Sequence, residues 1–159
     1  MASFKDSKGT EWFIKLDAPT IEEIRQDYSV DLVGLDKDPL GPLRNDPMKL
    51  VTIVSVICRD LIALRNLSPV DFARLLPCPP DAMLDAVRDA VIGFFPSGRA
   101  SHVREVLQKF DLMAAKTDEL AAVKMQQVMD DPKVMAELNA RADVAISQAI
   151  EKMSRSAGT

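Results

Sequence analysis

The sequence predicts a mainly α-helical protein, with an N-terminal β-hairpin packed on a bundle of five or six helices and long helices at the C-terminal end. Three observations carry this. Helix-start signals recur at Thr20, Asp46-Pro47, Ser68-Pro69 and Asp131-Pro132, each followed by apolar residues three and four apart. Alternation with a period of two is clearest in the first 16 residues. Nine of the ten prolines and seven of the eight aromatic residues lie before Gly98, leaving a smoother helical remainder. By composition the chain divides into 1–98, a compact hairpin-plus-helices core, and 99–159, a Met/Ala-rich helical extension; one continuous domain is the alternative. The first part carries 11 basic and 15 acidic residues, and the second nine of each.

The hairpin comes first. Phe4-Lys5 leads into Asp6-Ser7-Lys8-Gly9, where Asp and Gly suit a type I turn closed by a left-handed glycine. In the strand Thr10–Leu16, the residues Trp12, Ile14 and Leu16 alternate with Glu11, Phe13 and Lys15. Two strands alone are marginal, so their apolar face needs a helix beneath it. A capping box, Thr20 with Glu23, starts the next helix, whose face is Ile21, Ile24 and Tyr28. From Ser29 to Asn45 the chain is irregular. Val30, Leu32, Val33 and Leu35 fit either a short strand or a segment tucked under the core, and Pro39, Gly41 and Pro42 forbid a regular element.

Asp46-Pro47 starts the most apolar helix, with Leu50, Ile53, Val54, Ile57, Leu61 and Leu64 as its stripe over about 18 residues. Ser68-Pro69-Val70-Asp71 caps a short helix that buries Phe72 and Leu75 or Leu76, ended by Pro77-Cys78-Pro79-Pro80. A further helix, about Asp81 to Phe95, turns Leu84, Val87, Val91 and Phe94 inward. Pro96-Ser97-Gly98 breaks it. The next starts near Arg99 or Ser101 on a face of Val103, Val106, Leu107 and Phe110. It either continues to Asp130 or kinks near Asp111 or Thr117. Asp131-Pro132 opens the last helix, which reaches about Ser154. The expected core is Trp12, Ile24, Leu50, Ile53, Ile57, Leu61, Phe72, Leu84, Val87, Val91 and Phe94.

The chemistry in the sequence is thin. A net charge of −4 argues against a general nucleic-acid binder. The longest uncharged apolar run, Leu50–Cys58, is too short to cross a bilayer, and the N-terminus shows no signal-peptide core, so a reducing cytoplasm is expected. His102 is the one histidine, with no cysteine beside it, so no metal site and no cofactor are expected; a polar residue in a first helical turn is the plainer reading. Cys58 packs as a small hydrophobe, and Cys78, between prolines, lacks an adjacent base. No glycine-rich phosphate loop exists. Asp36-Lys37-Asp38 starts like a calcium loop but lacks the required glycine and glutamate. Arg99, His102 and Arg104 form a small basic group at a helix start; it suits a phosphate or an acidic partner, and solvated surface charge is the plainer reading.

The most informative feature is the methionine and alanine content of the C-terminal part. Methionine re-packs against different partners at low cost, and alanine lets a second helix approach closely. The residues this nominates for a partner are Met113, Leu120, Met125, Val128, Met129, Met135, Leu138, Ile146 and Met153. A plain helix-packing interface, internal or between copies, is the alternative reading of the same pattern.

Four segments carry a family resemblance: Phe4-Lys5-Asp6-Ser7-Lys8-Gly9-Thr10-Glu11-Trp12, Thr20-Ile21, Tyr28-Ser29-Val30-Asp31-Leu32 and Phe94-Phe95-Pro96-Ser97-Gly98-Arg99. Across about the first 110 residues the chain resembles small tailed-phage and prophage proteins of the tail-assembly chaperone group. The resemblance implies a non-virion, non-enzymatic factor in the host cytoplasm that coats the tape measure protein until tail tube subunits polymerise around it. It carries over no catalytic residue. The expected partner is therefore the tape measure protein or another helical client, with a homo-oligomer possible and no nucleic acid or membrane involved. A structural virion subunit of head–tail connector or tail terminator type, acting as a homo-oligomer, is the second reading. A small enzyme using Cys78 or His102 is the third.

Overall fold

A computed structural model describes residues 2–77, 79–130, 132–133, 136, 140–142 and 144. Among these, the hairpin consists of β1 (Ala2–Lys5) and β2 (Glu11–Ile14), antiparallel, with Phe4 opposite Trp12 and Ala2 opposite Ile14. Gly9 closes its turn at φ +81°, the left-handed conformation expected of it. Among the described residues there follow α1 (Ala18–Tyr28), α2 (Gly41–Arg44), α3 (Pro47–Ile57), α4 (Arg59–Leu64), α5 (Pro69–Leu75), α6 (Asp81–Phe94) and α7 (Ser97–Met129). The mainly helical class with its N-terminal hairpin is as expected. The chain forms two compact units, Met1–Phe110 and Asp111–Thr159.

In the first unit α3 is the hub, touching α1, α2, α4, α5 and α6, while β1 lies along α6. Trp12, Ile14 and Leu16 all face the core, as their alternation required. Around them close Ile24, Leu50, Ile53, Phe72, Val87 and Val91. Trp12 and Phe72 pack edge to face at 4.6 Å between ring centroids, and the Arg65 guanidinium lies over the indole at 4.0 Å. Asp6 is the buried acid of the turn. It accepts from Trp12 Nε1 at 3.0 Å and from the backbone N–H groups of Lys8 and Thr10, each at 2.9 Å. The turn is tied to α5 by Ser7 N–H donating to the Leu75 carbonyl at 2.8 Å.

Several expectations need correction. The cap of α1 is Asp17, which accepts from Thr20 N–H at 2.9 Å, so Thr20 lies inside the helix. Pro19 is the reason: its fixed φ is already helical, and in the first turn its missing N–H loses no bond. The same logic makes α2, where Pro42 occupies the first turn of a helix in a segment that its prolines seemed to forbid. Val30 and Leu32 form no strand; they tuck under the core, joined by Leu40 and Leu43.

The 18-residue apolar helix is really two, α3 and α4, broken at Cys58 (φ −89°, ψ 7°). The break resets the inward face. Ile62 is buried, Ile57 and Leu61 are only half-buried, and Leu64 is 77% exposed. Asp46 and Ser68 cap α3 and α5 as expected, and Leu76 rather than Leu75 is buried. In α6 Leu84 is half-buried and Phe94 faces outward, its ring against Phe95 at 5.9 Å; the inner face is Met83, Ala86, Val87, Ala90 and Val91. Helix α7 starts at Ser97, before Arg99, and shows no break at Asp111 or Thr117. The expected last helix lies largely outside the described residues.

Candidate functional site

Cys58 is fully buried and unpaired, and burial pushes its thiol up to about 11, with Arg65 only partly opposing. A thiol held protonated inside the core is a packing group, not a nucleophile. Cys78 lies outside the described residues. His102 is an exposed residue of α7. Asp38 of the acidic loop accepts from Leu40 N–H at 3.1 Å and from Arg44 at 2.6 Å, which accounts for it as the clamp of α2. Among the described residues no group of three or more His, Cys, Asp or Glu side chains is placed to hold a metal ion. None of the described helices is long and apolar enough to cross a membrane.

An open groove of about 540 Å³ runs between the end of the hairpin and α6, with Ile14, Leu16 and Phe94 as apolar walls and Lys15, Asp89 and Arg104 at its rim. Its polar groups among the described lining residues are the charged side chains Lys15, Asp89 and Arg104.

The surface that stands out is the part of α7 in the second unit. Met113, Leu120, Met125, Val128 and Met129 are 62%, 61%, 71%, 52% and 50% exposed. These are five of the nine residues nominated from sequence. The other four, Met135, Leu138, Ile146 and Met153, lie outside the described residues. Leu112 at 63%, Val123 at 49% and Val144 at 56% belong to the same exposed apolar population and were missed. Their signal is the same one: each is a large apolar residue among alanines.

The side chains do not form one stripe. At about 100° per residue, Met113 and Leu120 fall within about 20° of each other. Met125 lies about 140° from Leu120, with Met129 about 40° further on. Lys116, Lys124, Asp118 and Glu119 are interspersed. The second half of α7 thus offers apolar surface on more than one side, and ordinary monomers leave such patches small. Chemically it can bury another apolar surface. No known protein family, curated protein or solved structure matches the chain.

Proposed function

We propose that the chain is a non-enzymatic binding protein of tail-assembly chaperone type, which holds apolar helical segments of a tape measure protein on the second half of α7. One observation carries the reading: a run of large aliphatic and thioether side chains, half to nearly three-quarters exposed, on a helix already formed. Burying that surface supplies roughly 25 cal/mol per Å² before ordering costs. Because methionine and alanine dominate, the surface accepts helices of differing contour, and many weak contacts permit release. The resemblance of the first 110 residues to that group points the same way. The alternative, an oligomeric virion subunit, uses the same surface against its own copies and places the protein in purified particles.

Co-expression with the tape measure protein is the test. The wild-type chain keeps the client in the soluble fraction. The double substitution Met125→Lys, Met129→Lys lowers client recovery at least about tenfold, since two charges must be desolvated on docking. Both positions are exposed, so thermal unfolding of the chain itself moves by no more than about 0.5 kcal/mol. Equal client solubility with and without the chain, or with and without the lysines, overturns the proposal.

A further inference from the structure

The open groove of the first unit lies at a seam of three elements: the end of the hairpin, the last turns of α6, and Arg104 of α7. From α6 it takes two adjacent rows, Asp89 with Gly93 and Ala90 with Phe94, each pair one helical turn apart. Ile14 and Leu16 line it from the hairpin side. Its volume, about 540 Å³, is that of a small-ligand site. Two of its residues are not accounted for by the fold. Gly93 is exposed, its φ is not left-handed, and a Cβ there would meet nothing within 4 Å. Neither backbone conformation nor internal packing therefore asks for glycine, which weakens a helix relative to alanine. What glycine does here is leave the backbone of α6 bare on the groove floor, where a bound molecule can come close. Phe94 continues the inward spacing of Val87 and Val91, yet it is 38% exposed because the core ends before it. An apolar ligand in the groove would complete that stripe.

We propose that this groove binds a small amphiphilic monoanion, a carboxylate on an unbranched apolar chain. The tail lies over Gly93 against Phe94, Ile14 and Leu16, and the carboxylate is held by Lys15 and Arg104. Charge selects this ligand. The chain carries a net −4, but the groove sets two cations, Lys15 and Arg104, against one carboxylate, Asp89. One negative charge balances that lining. A doubly charged phosphate exceeds it and meets Asp89, and a cationic head is opposed by both basic groups. Burial of the tail supplies the affinity, and the few charged groups fix its direction. The inference does not depend on the client reading, which uses the second half of α7.

Isothermal titration of the full chain with decanoate tests it. Decanoate binds saturably, one molecule to each chain. Gly93→Met puts a side chain on the bare floor and weakens binding at least about tenfold, while the thermal midpoint holds or rises because the glycine is gone. Arg104→Glu weakens binding about tenfold, and Arg104→Lys restores most of it. Decyl phosphate and decyltrimethylammonium each bind at least about tenfold more weakly than decanoate. Met125→Lys with Met129→Lys binds decanoate as the wild type does, which separates this site from the client surface. A titration without saturable binding overturns the proposal. So does binding that survives Gly93→Met or Arg104→Glu, that admits the ammonium or the phosphate as readily as the carboxylate, or that is lost with Met125 and Met129. No client enters the measurement, so its outcome is separate from that of the solubility test.

Discussion

Replacing Trp12 by Ala lowers the stability of the first unit by about 5 kcal/mol, most of what a domain of this size possesses. The indole is 1% exposed and joins three otherwise separate parts of the unit. Its ring packs on Phe72 of α5, Arg65 at the end of α4 lies over it, and its N–H reaches Asp6 in the hairpin turn. Alanine leaves a ring-sized cavity, strands a stacked guanidinium and removes one of the donors to a buried carboxylate. The neighbouring Phe13, on the outer face of the same strand and 41% exposed, is the control: Phe13→Ala costs under about 1 kcal/mol. Urea unfolding of the two variants checks this, and similar midpoints for both contradict the account.

The second large effect belongs to Asp6. Burial by itself pushes its carboxyl up, but donation from Trp12 and from the backbone of Thr10 and Lys8 outweighs this and holds it below its ordinary value of 3.8. Asp6→Ala removes the acceptor of all three donors and costs about 3 kcal/mol, since hydrogen bonds to a charged group are the stronger class. The sign of the pH dependence follows from the direction of the shift. A carboxylate whose folded pKa lies below its unfolded one stabilises fully above the unfolded value, and that stability is lost as the pH falls through the folded one. Wild-type stability therefore falls as the pH drops below 3.8. Asp6→Asn, less stable at neutral pH, has a shallower fall over the same range. Parallel acid limbs for the two proteins contradict the assignment. Asp31, depressed by Arg25 and backbone donors against its own burial, contributes equally to both curves and cancels in the comparison.

What could be read from the sequence was local. Asp46-Pro47 and Ser68-Pro69 announce their helices because a cap and a first-turn proline act within four residues. Trp12, Ile14 and Leu16 declare their face because a strand alternates whatever lies beneath it. The misread elements depend on what lies further away. Pro42 is a breaker in mid-helix and a starter in a first turn, and only the clamp from Asp38 to Arg44 and Leu40 decides which. The break at Cys58 hides inside an unbroken run of apolar residues, since a stripe with β-branched neighbours on every side suits two successive helices as well as one. Phe94 continues the spacing of Val87 and Val91 past the point where the core has ended. At the candidate site the residue types were legible and their arrangement was not. Methionine and alanine content flagged the stretch, while the distribution of Leu112, Leu120, Met125 and Met129 around the helix emerges only once α7 is known to run unbroken from Ser97 to Met129.

The central claim is that the second half of α7 is where a client helix docks. Hydrogen exchange of the full chain, with and without the tape measure protein, measures this residue by residue. The account predicts slowed exchange concentrated between Leu112 and Met129, with the hairpin and α3 unchanged. Protection confined to the first unit, or the same exchange in both samples, contradicts it.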